Sequence, residues 1–160
     1  MSLRGWTIET PEAPWSVVVD GDVVVASGFC ALDALVARLP SGAVSRGAPT
    51  GPVADAARAY LAGDAEALVA VRVRQPGGEF QQQVWSAMRQ IPAGETWSYT
   101  ELATMAGRPA ASRAAGTACA RNLVAPFVPC HRVVRSDGSL GGYAYGLPVK
   151  RWLLALEVDL

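Results

Sequence analysis

A cysteine followed directly by a histidine is the feature of this sequence best suited to chemistry. Cys130 and His131 lie in the run Pro129-Cys130-His131-Arg132-Val133, and His131 is the only histidine among the 160 residues. A thiol attacks carbon as the thiolate, and a nearby base or cation favours that form. Adjacent side chains on an extended strand point to opposite faces. On such a strand, the histidine has to act through a turn, a water molecule or a third group.

The cysteines show neither a disulfide framework nor a metal site. Cys30, Cys119 and Cys130 are an odd number at wide spacing, which is typical of free thiols in a reducing compartment. A zinc site needs a cluster of cysteine and histidine ligands, and this chain has one histidine. No hydrophobic signal core opens the chain. We therefore expect no metal, no cofactor and a cytoplasmic location.

The charges are distributed unevenly along a chain that is otherwise typical of a globular protein. Hydrophobic residues make up 51% of the sequence, and no apolar run approaches the thickness of a bilayer, so no membrane association is expected. Residues 1–79 carry 6 basic and 9 acidic side chains (−3), whereas residues 80–160 carry 8 and 5 (+3). The difference suggests that the second half meets an anion, although random scatter of surface charge also produces such numbers.

The first half is predicted to be a small scaffold domain over residues 1–74. β-Branched runs on either side of Asp20-Gly21-Asp22 predict a hairpin. Helical spacing of apolar residues predicts helices over 31–39 and 53–61, and an apolar run predicts a strand over 68–73. No pattern in this half indicates chemistry.

The second half, residues 79–160, is predicted to be a helical domain that follows a linker at 75–78. Apolar residues at helical spacing predict a helix over 80–91. Pro148 opens a final helix over 149–157, at the position where proline is best tolerated. Between these helices lie the cysteine–histidine pair and a glycine-rich loop over residues 140–146.

Two short helices in the middle of this domain form a helix-turn-helix pattern. Ser98 and Glu101 form a capping box that begins the first helix, and an alanine-rich helix follows over 110–121. Such a slim helix suits close packing in a core, but it also suits a DNA groove when it carries cations. Three arginines in the turn and the second helix leave both interpretations open: Arg108, Arg113 and Arg121.

The ordered motifs of the second half resemble a known family. Phe80 to Glu157 is similar to the C-terminal domain of the O6-alkylguanine-DNA alkyltransferases, also called methylated-DNA–protein-cysteine methyltransferases. The similarity covers about half the chain and rests on motifs in the same order: Ile91-Pro92-Ala93-Gly94-Glu95-Thr96, Ser98-Tyr99, the arginine-bearing helix, Asn122, Pro129-Cys130-His131-Arg132-Val133 and Leu153-Leu154-Ala155-Leu156-Glu157.

This resemblance implies both a fold and a function. The fold would be α+β, with a small ribonuclease H-like α/β domain before a winged helix-turn-helix-like domain that binds DNA and holds the active site. The function would be direct reversal of DNA damage in a monomer without cofactors. An alkyl group, chiefly methyl, would move irreversibly from O6 of guanine in double-stranded DNA to Cys130, once per molecule, with O4 of thymine as a second candidate substrate.

The resemblance also implies catalytic roles for five residues. Cys130 would be the acceptor, and His131 would take its proton through a water molecule held by Glu157. Asn122 would hold the turn around the cysteine by hydrogen bonds. Tyr99 would crowd the DNA backbone to drive rotation of the nucleotide and would bond the guanine ring.

A further set of positions would contact the DNA or the flipped base. Arg113 would fill the space left in the base stack, and the main chain at Cys130 and Val133 would read the exocyclic amine. Tyr143 and Ala144 would lie on the loop that closes over the base. Tyr145 replaces a glycine that many members have, and its bulk is expected to narrow the pocket, so that methyl adducts react better than benzyl adducts.

Three other classes of protein fit parts of the pattern. Relatives that only bind alkylated DNA lack the acceptor cysteine, whereas this chain keeps Cys130, His131 and Glu157. A cysteine hydrolase normally draws its catalytic pair from distant parts of the chain, and a regulator would need a sensor domain. The acceptor role is preferred, and release of several products per molecule would favour the hydrolase.

Overall fold

A computed structural model describes residues 2–40 and 43–158 of the chain. The described residues form two compact units. The first unit runs to Gln75 and also includes Leu123–Phe127, whereas the second comprises Pro76–Asn122 and resumes at Val128. Helices and sheets occur together in the chain, which confirms the α+β class.

The first unit is built on a mixed sheet. Its strands among the described residues are β1 Leu3–Ile8, β2 Trp15–Asp20, β3 Val23–Gly28, β4 Val44–Arg46 and β5 Arg72–Val73. They lie in the order β4-β1-β2-β3-β5. The central strands β1, β2 and β3 pair antiparallel, whereas β4 pairs parallel to β1 and β5 parallel to β3.

The predicted hairpin is confirmed as β2 and β3, and its turn needs the left-handed backbone of Gly21, whose φ is 62°. The predicted strand over 68–73 is wrong over most of its length, because residues 64–71 form successive turns closed by backbone hydrogen bonds such as Ala67 N to Asp64 O. Only Arg72–Val73 joins the sheet.

Two helices complete the first unit, α1 (Leu32–Val36) and α2 (Pro52–Leu61). The first is shorter than predicted, since residues 37–40 form turns. Pro52 stands at the start of α2, where its missing N–H costs no helical hydrogen bond. The core of this unit is built around the fully buried Trp15, whose ring contacts three other aromatic rings: Phe29, Tyr60 and Phe127.

The second unit is mainly helical. Its helices are α3 Glu79–Met88, α4 Tyr99–Met105, α5 Ser112–Ala120 and α6 Leu147–Val158, with a short 3₁₀ turn over Cys130–Arg132. A two-residue parallel pair joins β6 (Trp97–Ser98) to β7 (Val133–Val134). None of the helices among the described residues has the length and apolar character needed to cross a membrane.

In the helix-turn-helix region, α4 begins with a side-chain cap and α5 packs through small side chains. The Ser98 hydroxyl accepts from Glu101 N at 3.0 Å, and Ser98 N donates to the Glu101 carboxylate at 3.1 Å, which confirms the capping box. The small side of α5 is buried at Ala115 and Ala118, and Ala118 O accepts from the Trp85 indole of α3 at 2.8 Å. The alanines therefore serve close packing, while the opposite face of α5 remains exposed.

Candidate active site

Cys130 and His131 lie in a 3₁₀ turn rather than on an extended strand, contrary to the geometry considered from the sequence. The turn is closed by two backbone hydrogen bonds, from Cys130 N to Val128 O at 2.9 Å and from Arg132 N to Pro129 O at 3.0 Å. A tight turn rotates successive side chains by about a third of a circle, so neighbouring side chains can serve one site.

Asn122 supports this turn and contacts the thiol itself. Its side-chain amide donates to Val128 O at 2.8 Å and to Cys130 Sγ at 3.3 Å. Asn122 is buried and Cys130 is half-buried. A donor aimed at the sulfur stabilises the thiolate more than the thiol, because hydrogen bonds to an ionised acceptor are the stronger ones.

His131 and Glu157 form a fully buried pair. His131 Nε2 lies 2.8 Å from Glu157 Oε2, and both side chains are 0% exposed. Burial would raise the pKa of Glu157, but hydrogen bonds and positive charge from His131 and Arg132 lower it to about 2. Burial lowers the pKa of His131, although Glu157 opposes that effect. The pair therefore consists of a carboxylate and a neutral imidazole at neutral pH.

The pairing with Glu157 determines which nitrogen of His131 is available as a base. Because a carboxylate can only accept a hydrogen bond, Nε2 carries the proton and donates a hydrogen bond to Glu157. The second nitrogen, Nδ1, is buried and has no hydrogen-bond partner within the described part of the chain. In a neutral imidazole that nitrogen is an acceptor, so it can take up a proton.

Arg132 is a component of this site to which the sequence analysis gave no role. Its guanidinium donates from Nε to Glu157 Oε1 at 2.9 Å and from Nη2 to Glu157 Oε2 at 2.8 Å. The third donor, Nη1, bonds Ile91 O at 2.7 Å in the turn after α3. Its place in the run beside Cys130 was the only signal in the sequence, since Glu157 lies 25 residues further on.

A cavity of about 310 Å³ opens over the thiol. It brings together four of the residues predicted from the sequence, Tyr99, Cys130, Tyr143 and Ala144. The rest of its lining comes from α5 and the glycine-rich loop: Gly116, Cys119, Ala120 and Gly142. Cys119 therefore borders the cavity. The sequence signal for this position was that Cys119 follows Gly116 by three residues on the predicted helix, so both lie on the same face.

Three of the predicted base contacts lie outside the lining of this cavity. Arg113 lies on the exposed side of α5, and Val133 is fully buried directly after the 3₁₀ turn. Tyr145 packs edge-on against Tyr143, with ring centroids 5.7 Å apart. Tyr145 can therefore act on the cavity through Tyr143, which does line it.

Lys150 is a second component that the sequence analysis did not identify. This residue of α6 is 0% exposed, and its ammonium donates to Val133 O at 2.8 Å, to Gly142 O at 3.1 Å and to Leu140 O. Burial lowers its pKa, although the nearby thiols of Cys119 and Cys130 oppose this. Lys150 thus connects the glycine-rich loop to the strand that follows the turn containing Cys130.

Tyr99 stands at the first position of α4, where the cap at Ser98 places it on the cavity wall. Burial raises the pKa of its hydroxyl, and the thiols of Cys119 and Cys130 add to the effect. Gly141 has a φ of 71°, and a Cβ there would lie 3.2 Å from the Tyr99 hydroxyl. Glycine thus allows the loop to approach a hydroxyl that stays protonated and able to donate.

Cys119 differs from Cys130 in its chemistry although both line the cavity. Burial, followed by the neighbouring Cys130, raises the pKa of Cys119 strongly, so it remains a thiol. Its sulfur contacts Met88 Sδ at 3.8 Å. Within residues 2–40 and 43–158, no group of three or more histidine, cysteine, aspartate or glutamate side chains could hold a metal ion.

Comparison with known proteins gives consistent results for sequence and fold. The family model described as 6-O-methylguanine DNA methyltransferase, DNA binding domain, matches residues 79–158. A methylated-DNA–protein-cysteine methyltransferase of Methanosarcina acetivorans is 50% identical over 99 residues, which cover 62% of this chain and 63% of that protein. The matching region thus spans less than two thirds of this curated relative.

Solved structures extend the similarity to nearly the whole chain. The O6-methylguanine methyltransferase of Mycobacterium tuberculosis has a TM-score of 0.81 at 33% identity, covering 98% of this chain and 93% of that one. A structure of the same organism's OGT in complex with DNA has a TM-score of 0.80 at 35% identity, with the same coverage.

Proposed function

The chain belongs to the 6-O-methylguanine DNA methyltransferase family, and we propose that it repairs double-stranded DNA by transferring an alkyl group from O6 of guanine to Cys130. The alkyl group is chiefly methyl, and O4 of thymine is a second candidate substrate. One observation carries the proposal: the half-buried thiol of Cys130 opens into a cavity while the histidine beside it is held by a buried carboxylate.

Activation of the thiol begins with a proton transfer from Cys130 to His131. The S–H bond breaks, and the proton passes through a water molecule to Nδ1, the acceptor nitrogen of the imidazole. Glu157 balances the positive charge that forms on His131. Asn122 donates to the sulfur at 3.3 Å and stabilises the thiolate.

Alkyl transfer is then a displacement at the carbon attached to O6. An S–C bond forms as the C–O6 bond breaks, and the electron pair stays with guanine. The resulting guanine anion takes up one proton, for which the neutral hydroxyl of Tyr99 on the cavity wall is a candidate donor. The product at Cys130 is a thioether without an electrophilic carbonyl, so water cannot regenerate the thiol and each molecule acts once.

The target carbon is inaccessible inside a duplex, so the nucleotide has to rotate out of the stack. Tyr99 at the cavity and Arg113 on the exposed side of α5 are proposed to drive this rotation and to fill the space left behind. Tyr143, Ala144 and Tyr145 form the loop proposed to cover the base. The main chain at Cys130 and Val133 is proposed to read its exocyclic amine.

The finer architecture follows the same proposal. We assign the first unit to a ribonuclease H-like scaffold and the second to a winged helix-turn-helix-like domain. The antiparallel β1–β3 meander supports the first assignment. The second is supported by the capped α4–α5 pair and by the turn at Arg135–Ser139, closed from Arg135 N to Ser139 O at 2.9 Å. The protein is proposed to act as a monomer.

Intact-protein mass spectrometry tests the proposal directly. The protein is incubated with excess duplex containing one O6-methylguanine, beside the variants Cys130→Ala and Cys119→Ala. We expect one added methyl on the unmodified protein and on Cys119→Ala, mapped to Cys130, and none on Cys130→Ala. Tight binding without added mass would indicate a damage-recognition protein, and several repaired duplexes per molecule would indicate a hydrolase.

A further inference from the structure

Arg132 carries a buried charge that the proposed reaction leaves without a role. The residue is 7% exposed, and four of the hydrogen bonds around it form one connected group: two to Glu157, one to Ile91 O, and the bond between Glu157 and His131. A guanidinium would be costly to bury if packing alone were needed there. Its contacts therefore point to a specific task.

The geometry of the guanidinium controls the orientation of Glu157. A guanidinium binds a carboxylate through two parallel hydrogen bonds, which fix the plane of the carboxylate. Here the bonds are 2.9 Å to Oε1 and 2.8 Å to Oε2, and Ile91 O holds the other end of the fork at 2.7 Å. Oε2 is consequently held 2.8 Å from His131 Nε2 and cannot turn away from it.

The charge of Arg132 matters as much as its shape. The charged groups that act on His131 from the elements around it are Glu157 and Lys150 of α6 and Arg132 of the 3₁₀ turn. With Arg132 present, the negative charge of Glu157 is shared between a guanidinium and an imidazole. Without Arg132, Glu157 would lose two charge-assisted hydrogen bonds, and its negative charge would act more strongly on His131 and favour the imidazolium, which cannot accept a proton.

We propose that Arg132 is a positioning residue for the proton transfer: it orients Glu157 so that His131 keeps its proton on Nε2, and it keeps the imidazole neutral with Nδ1 ready to accept. This inference rests on the proposed function in one respect only, which is that the neutral histidine accepts the proton of Cys130 during alkyl transfer. The state of the imidazole itself can be measured without any DNA.

The single histidine makes that measurement unambiguous. Protein labelled with ¹⁵N-histidine is titrated by NMR, which reports the tautomer and the protonation of His131 alone. The unmodified protein should show the Nε2–H tautomer and remain neutral well below the ordinary pKa of histidine, about 6.5. An Nδ1–H tautomer, or an ordinary titration, would overturn the inference without touching the question of alkyl transfer.

The decisive variant is Arg132→Met, with Arg132→Lys and Arg151→Met beside it. In Arg132→Met the His131 midpoint should rise relative to that of the unmodified protein, because the positive charge of Arg132 is one of the influences that lower the pKa of His131. A midpoint equal to that of the unmodified protein contradicts the proposal, and so does a rise accompanied by faster hydrogen exchange throughout α6, which would indicate simple loosening of the core. Arg151→Met removes an exposed charge from α6, the helix that carries Glu157, and should leave the titration of His131 unchanged.

Arg132→Lys keeps a positive charge but loses the fork, and it provides the test if Arg132→Met does not fold. Its midpoint should lie above that of the unmodified protein, and a midpoint equal to that of the unmodified protein would show that the fork is dispensable. With a duplex containing O6-methylguanine, methyl transfer by the variants should fall most at low pH and recover as pH rises. Failure of the unmodified protein to transfer methyl would refute the proposed function but leave the NMR result standing.

Discussion

Replacing Lys150 by methionine should detach the glycine-rich loop from the active site while leaving the fold intact. The buried ammonium of Lys150 donates hydrogen bonds to three carbonyl oxygens, those of Val133, Leu140 and Gly142. Methionine has a similar length and no donors. The change therefore removes the anchor of the loop without creating a large cavity.

The magnitude follows from where the three carbonyls lie. Val133 is fully buried, so its carbonyl loses its lysine partner at a cost of about 1–3 kcal/mol. Leu140 is half-buried and Gly142 exposed, so their carbonyls can turn to water. The free energy of unfolding should fall by about 1–3 kcal/mol. If the same contacts hold the loop closed, the ratio of closed to open loop falls roughly fivefold to hundredfold, since about 1.4 kcal/mol is a factor of ten.

Two measurements on Lys150→Met check this reasoning, with the exposed neighbour Arg151→Met as control. Hydrogen exchange followed by mass spectrometry should show faster exchange over residues 138–146 and little change in α3. The single-turnover rate of methyl transfer should fall by about tenfold or more, because Gly142, Tyr143 and Ala144 line the cavity. Unchanged exchange of the loop together with a rate within about twofold of the unmodified protein would refute the anchoring role.

Three further predictions concern other parts of the site. His131 and Glu157 both have pKa values below those of the unfolded chain, so protons bind the unfolded state more readily. The urea concentration at half-unfolding should therefore decrease as the pH is lowered from about 6.5, and should decrease more steeply once the pH is below about 4.5. A urea midpoint that stays constant from pH 7 to pH 4 would contradict this. Asn122→Ala loses donors to Val128 O and Cys130 Sγ and should lower the free energy of unfolding by about 1–3 kcal/mol and slow methyl transfer, whereas an unchanged transfer rate would limit Asn122 to folding. Tyr145→Gly removes the ring that supports Tyr143 and should raise the ratio of the benzyl-transfer rate to the methyl-transfer rate by about tenfold. Equal rates for methyl and benzyl substrates in the unmodified protein would contradict the prediction that Tyr145 narrows the cavity.

Local signals in the sequence predicted the elements that depend on neighbouring residues. The capping box at Ser98 and Glu101 is confirmed because both partners lie within one helical turn. The hairpin at Gly21 is confirmed for the same reason. By contrast, β1 was not predicted, since its residues Leu3–Ile8 include a glycine and an arginine and gain their partners from β2 and β4. Pairing between distant segments has no local signature.

The site shows the same division between local and distant interactions. The run around Cys130 was identified from adjacent residue types, and its resemblance to a family supplied the distant Glu157. Neither adjacency nor spacing indicated that Lys150 would bind three carbonyls, because a buried lysine is recognised only when its acceptors are assembled in space. Arg132 was overlooked because its partner carboxylate lies 25 residues away.

The segment Leu123–Phe127 limits how this protein can be divided in the laboratory. The chain leaves the second unit after Asn122, contributes these residues to the first unit, and returns at Val128 just before Cys130. Within the first unit Leu123 N donates to the Gln75 side chain at 2.7 Å, and Phe127 contacts Trp15. A fragment starting at residue 76 would keep every proposed catalytic residue, yet it would expose five residues that are buried here. The stretch that matches the family model is therefore a unit of sequence but not a separable folding unit, and gene truncation or domain grafting should keep both halves.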